Sequence, residues 1–146
     1  MAMGNDSGRV SSNEIWEYDP TADAWILKGN YPFQGSFGIK SFVINGEGFS
    51  FGGWWSNGAT GNQITQSHYK YNPVSGIFAA LTSFPDANRY EGVSFAIAGK
   101  GYYGTGFAFD ANDMWEYDLA SDNWTQKASL PATARSGAVG VSIGNY

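Results

Sequence analysis

The stretch Ile15-Trp16-Glu17-Tyr18-Asp19-Pro20 recurs as His68-Tyr69-Lys70-Tyr71-Asn72-Pro73, 53 residues later, and as Met114-Trp115-Glu116-Tyr117-Asp118-Leu119, after another 46. Seven residues after the last Tyr of each copy stands an aromatic: Trp25, Phe78 and Trp124. Each copy then reaches an aromatic or apolar residue before proline, at Tyr31-Pro32, Phe84-Pro85 and Leu130-Pro131. Inside the stretch the side chains alternate. Trp16/Tyr18, Tyr69/Tyr71 and Trp115/Tyr117 share one face; Ile15/Glu17, His68/Lys70 and Met114/Glu116 share the other. A period of two belongs to a β-strand. The consistently aromatic face is expected to pack against a neighbouring unit, where fully burying one such ring is worth about 1.5–3 kcal/mol.

Outward from this stretch the first two copies stay in register without a gap. Ser41-Phe42-Val43-Ile44 matches Ser94-Phe95-Ala96-Ile97, Gly46-Glu47-Gly48-Phe49 matches Gly99-Lys100-Gly101-Tyr102, and Gly53 matches Gly106. The third copy offers Val139-Gly140-Val141-Ser142-Ile143. Four strands per unit follow. The first covers 37–44, 90–97 and 136–143, and the second 48–53 and 101–106. The third covers 14–19, 67–72 and 113–118, and the fourth 24–28, 77–81 and 123–127. Asn45-Gly46 joins the first two strands as a type I′ hairpin signal, since both central residues need positive φ. Asp-Pro-Thr-Ala-Asp and its counterparts make the turn between the third and fourth. A period of about 50 residues falls in the range of propeller repeats.

Composition agrees. Among 146 residues there are 20 Gly, 6 Trp, 9 Tyr and 10 Phe, but only four Leu. Helices rely on Leu, Ala, Glu and Lys and are weakened by Gly, so the chain reads as short strands and tight turns. A net charge of −5 without any basic run points away from nucleic acid and from an anionic membrane surface. The absence of Cys removes disulfide and thiolate chemistry. No apolar run approaches the ~20 residues of a membrane-spanning helix. Residues 1–12 lack an apolar signal-peptide core and read as an N-terminal tail or an added segment; residues 13–146 form the repeat domain. None of this decides the cellular compartment.

Tyr18-Asp19…Trp25, Tyr117-Asp118…Trp124 and the Gly52-Gly53 doublet closing a second strand resemble the Kelch repeat. The resemblance covers about residues 13–146. It departs at Phe78 for Trp, Asn72 for Asp and Thr105-Gly106 for the glycine doublet. It implies an all-β fold of Kelch-type β-propeller blades, each of four antiparallel strands, with the first strand lining a central channel. About three blades per chain make a half-propeller. Rings usually close with 4–8 blades, so two expectations follow: a second chain completes six blades, or further blades of a longer propeller do. In the dimer, a seam blade takes its first strand from 136–143 of one chain and its last two from the N-terminal region of the other. Its second strand is expected to be missing, since Ala2-Met3-Gly4-Asn5 makes a poor strand, leaving a three-stranded or irregular blade.

The resemblance places binding in loops at one mouth, before the first strand and after the second. Candidate binding residues there are Asn88, Arg89, Tyr90, Arg135, Ser136, Trp54 and Trp55. Arg89 and Arg135 occupy equivalent repeat positions, with Ser36 in the first copy. They either present guanidinium forks to a carboxylate or phosphate, or belong to the repeat and bond loop carbonyls. The adjacent Trp pair suits sugar stacking or a partner anchor, or else covers the blade top or fills a seam. Glu91 is a carboxylate without a placed partner. His68, the sole histidine, is expected to be exposed beside Lys70 and is not a metal site, since Zn and Cu recruit several ligands. Some relatives are enzymes, including a copper-radical sugar oxidase that needs a Tyr–Cys cross-link, which this chain cannot build. No cofactor is expected. The reading is a non-catalytic protein-interaction or ligand-binding module; the alternative is a carbohydrate-active propeller that binds or isomerises an acidic sugar.

Overall fold

The computed structural model of the chain describes residues 2–5, 11–33, 37–56, 62–86, 89–107 and 111–144. Its strands are β1 (Ala2–Asn5), β2 (Ser11–Asp19), β3 (Ala24–Asn30), β4 (Lys40–Ile44), β5 (Glu47–Phe51), β6 (Trp54–Ser56), β7 (Asn62–Ile64), β8 (His68–Asn72), β9 (Ile77–Ala80), β10 (Val93–Ile97), β11 (Lys100–Gly104), β12 (Met114–Asp118) and β13 (Asn123–Lys127). Two complete blades run β4-β5-β8-β9 and β10-β11-β12-β13, all antiparallel. A three-stranded sheet β1-β2-β3 precedes them, and β6-β7 form a small hairpin.

The repeated turn chemistry explains why the motif carries Asp or Asn. Asp19 Oδ1 accepts the Thr21 N–H at 2.8 Å, Asn72 Oδ1 the Val74 N–H at 2.9 Å, and Asp118 Oδ1 the Ala120 N–H at 2.9 Å. Each closes the same Asx turn between third and fourth strands. At the other hairpin Asn45-Gly46 takes φ of 52° and 80°, and Ala98-Gly99 takes 50° and 76°, as a type I′ turn requires.

Blades pack face to face. Phe42, Ile44, Phe49 and Phe51 of the middle blade meet Tyr103, Tyr117 and Trp124 of the third, with Phe84 at the junction. Phe51 lies 4.5 Å from Tyr103 and Phe49 5.9 Å from Tyr117, ring centre to ring centre. Gly101 permits this approach, because a Cβ there would sit 2.0 Å from the Phe42 ring. On the other side of the middle blade, Tyr69 and Phe78 pack on Tyr31, which follows β3, at 5.3 and 5.4 Å. The aromatic face of each complete blade's third strand therefore turns toward the preceding sheet.

Several expectations change. His68 is not exposed: 1% of it meets solvent. It shares the face of Phe49 and Phe51 and stacks edge-on against Tyr117 at 4.6 Å. A middle blade has neighbours on both faces, so the face opposite the aromatic one is interior too. The first strands begin at Lys40 and Val93, while Phe37 and Tyr90 make isolated bridges to Trp54 and Phe107. Residues 136–143 form no strand, since no second strand stands beside them to complete a ladder. Ala2–Asn5, placed by sequence in the tail, instead forms β1 and pairs with β2, Ala2 opposite Trp16. Backbone pairing needs no β-branched side chain, so a composition poor in strand formers still supplies this second strand.

Candidate functional site

The mouth lies opposite the Asn45-Gly46 and Ala98-Gly99 turns, where each first strand is entered and each second strand left. Phe37 and Trp54 exchange two backbone hydrogen bonds, both 2.9 Å; Tyr90 and Phe107 repeat the exchange at 3.1 and 2.8 Å. The bridges hold four rings in a row: Trp54–Phe37 at 4.3 Å, Phe37–Tyr90 at 6.4 Å and Tyr90–Phe107 at 5.3 Å. The row crosses from the middle blade to the third. It ends on Phe107, 47% of which faces solvent. The Tyr90 hydroxyl is shifted upward, by partial burial and then by the charge of Glu91. Trp55 packs edge-on against Phe33 at 6.0 Å.

Glu91, next to this row, has φ of 55°. Its repeat equivalents are Gly38 and Gly137, at 68° and 66°. A carboxylate thus occupies a left-handed position where the other copies use glycine, a conformation that costs a side chain about 1–2 kcal/mol. Strain of this kind concentrates at binding sites.

The two arginines part company. Arg89 is 5% exposed. Its guanidinium bonds Asp86, both carboxylate oxygens of Asp113 (one at 3.1 Å) and the Thr105 carbonyl at 3.2 Å, and lies over the Phe84 ring. The Trp115 indole N–H donates to Asp113 Oδ2 at 2.6 Å. Burial alone would raise the Asp113 carboxyl, but Arg89 and Trp115 outweigh it and hold it below the usual carboxylate range. Arg89 is a brace inside the blade, both terminal nitrogens of its guanidinium being engaged by groups of the chain itself. Its partners were not singled out from sequence, although an Asp one residue before a repeat motif and an Arg at a fixed repeat position were there to be matched. Arg135 is exposed, its Nε donating to the Thr133 carbonyl at 3.0 Å. Ser136 beside it is half-buried. Asn88 lies outside the described residues. The structure therefore brings Trp54 and Tyr90 together with Phe37 and Phe107, sets Arg89 beneath them, and leaves Arg135 apart. Among the described residues no group of three or more His, Asp or Glu could hold a metal.

No protein-family model matches the chain. Kelch-like protein 35 of Mus musculus is 23% identical over 144 residues, covering 92% of this chain and 23% of that protein. A solved structure, that of YjhT, superposes with a TM-score of 0.83 at 19% identity, over 97% of this chain and 52% of its own. The chain thus spans about a quarter of the mouse protein and about half of the YjhT chain.

Proposed function

We propose that the chain is a Kelch-repeat half-propeller acting as a non-catalytic interaction module, half of a six-bladed ring completed by a second copy, binding its ligand at the aromatic mouth. The observation that carries this reading is the row Trp54-Phe37-Tyr90-Phe107. Phe37, Trp54 and Tyr90 are half-buried and Phe107 is exposed, and aromatic rings held in a fixed row with a solvent-facing end are the side chains that dominate binding energy at protein interfaces. Glu91 adds one acceptor at the edge of the row. The half coverage of a propeller neighbour supports the ring arithmetic.

The same row favours a carbohydrate as a second reading, because aromatic faces stack on sugar rings and Glu91 accepts hydroxyls. An acidic sugar is served less well, since Arg89 is already spent on Asp86 and Asp113. Selection of a displayed peptide library on the chain separates the two. Selected peptides are expected to lose about tenfold or more in affinity on Phe107→Ala or Tyr90→Ala. Peptides indifferent to both variants overturn the mouth as a protein site. Thermal shifts with glycans but no peptide capture move the conclusion to the second reading.

A further inference from the structure

We propose that Arg135 of one copy pairs with Glu14 of a second, closing a seam blade in which residues 136–143 become the innermost strand beside β1, β2 and β3 of that second copy. The proposal deepens the two-copy ring and rests on it.

The first support is a charge pairing repeated inside the chain. In the third blade Arg89, ahead of the first strand, is held by Asp113 at the start of the third strand, and Asp113 also accepts the Trp115 indole N–H. The equivalents of Arg89 are Ser36 and Arg135; those of Asp113 are Ser67 and Glu14. The middle blade, which owns Ser36 and Ser67, has lost both charges together. Arg135 opens a blade whose third strand, continuing around the ring, is β2 with Glu14 ahead of the motif. Glu14 is already set like Asp113, its Oε2 accepting the Trp16 indole N–H at 3.0 Å. Both Glu14 and Arg135 are exposed, and no described salt bridge involves either.

The second support is the place of residues 136–143. Around the channel each blade donates to the one before it: Glu91 N–H to the Gly38 carbonyl at 3.4 Å, then Gly137 N–H to the Glu91 carbonyl at 2.9 Å. Ser94 Oγ reaches the Ser41 carbonyl at 2.8 Å. One repeat on, a Cβ at Gly140 would lie 3.0 Å from the Val93 Cβ. The segment is thus docked against β10 as β10 is against β4, as a first strand awaiting a second. Its Val139, Val141 and Ile143 are exposed. The matching vacancy is in the three-stranded sheet, where β1 pairs with β2 on one side only. That sheet and residues 136–143 stand at opposite ends of the row of blades, so in the two-copy ring it is the second copy that brings them together.

Because Ala132 stands where Arg89 has Asp86, Glu14 is the single carboxylate this repeat pattern offers Arg135. Sedimentation or light scattering of the full chain tests the pair. Wild type is expected to be a dimer. Arg135→Glu or Glu14→Arg alone should weaken dimerisation roughly tenfold or more, and the double swap should restore it, with far-ultraviolet circular dichroism unchanged throughout. A wild-type monomer at all concentrations overturns the two-copy ring and the pair with it. A dimer whose affinity ignores all three variants overturns the pair and leaves the ring standing.

Discussion

Lowering the pH from 7.5 to 5 should destabilise this protein through His68. The imidazole is wedged between Phe49, Phe51, Tyr117 and Trp124. Its Nδ1 bonds the Thr82 carbonyl at 3.1 Å, while Nε2 is buried without a described partner. Burial lowers its pKa to about 4 from 6.5, against the smaller upward pull of the Thr82 carbonyl and Asp122. A depressed histidine means the unfolded chain binds the proton more readily, so stability is complete above pH 6.5 and declines as pH falls toward 4. The full shift is worth about 3 kcal/mol, of which about 2 kcal/mol is lost between pH 7.5 and 5. Asp122 and Asp113 titrate below this window, since both are held under the ordinary carboxylate value. Urea denaturation at pH 7.5 and 5 reads the difference directly. His68→Met supplies the control, because Met114 fills the equivalent place and Trp124 Nε1 still reaches the Thr82 carbonyl at 3.4 Å. The variant should lose the pH dependence in this window. Equal slopes for wild type and variant would refute the argument that a neutral, buried His68 sets it.

Two further substitutions probe the blade. Gly101→Ala places a methyl against the Phe42 ring and should cost about 1–3 kcal/mol by thermal denaturation, with Phe42→Leu recovering part of the loss; an unchanged midpoint refutes the close packing. Arg89→Ala strands the Asp113 carboxylate among Trp115 and Thr105, and should destabilise by about 3–5 kcal/mol; a well-folded variant of wild-type stability shows that Arg89 is not the brace described.

What could be read in the sequence was whatever repeats. The Asx turns at Asp19, Asn72 and Asp118 use a side-chain Oδ1 at the same repeat position for the same bond, and the fourth strand of the third copy begins and ends where the pattern sets it, at Asn123–Lys127. What escaped depends on neighbours in space. Alternation in one strand separates two faces of a blade but does not say that both are covered, which is why His68 was expected at the surface. β1 carries no side-chain signal, because its ladder with β2 is made by the backbone. At the mouth, repeat position alone grouped Arg89 with Arg135. It could not show that Asp86 and Asp113 surround the first while the second stands exposed. Thr105 is a related case. It takes φ of 56° where the first copy has Gly52 at 66°, so a departure from the repeat became local strain rather than a different backbone.

The inter-blade hydrogen bonds, Glu91 to Gly38 and Gly137 to Glu91, all point the same way along the row of blades. The row of blades therefore has a head and a tail, and any joint made by repeating it is head-to-tail. A contact of that type carries no built-in stopping rule: copies add until curvature brings the last head back to the first tail, and otherwise extend into a filament. The small rotation from one blade to the next, set by packing such as Phe42 on Gly101, would decide whether copies joined in that way close into a particle or extend as a polymer.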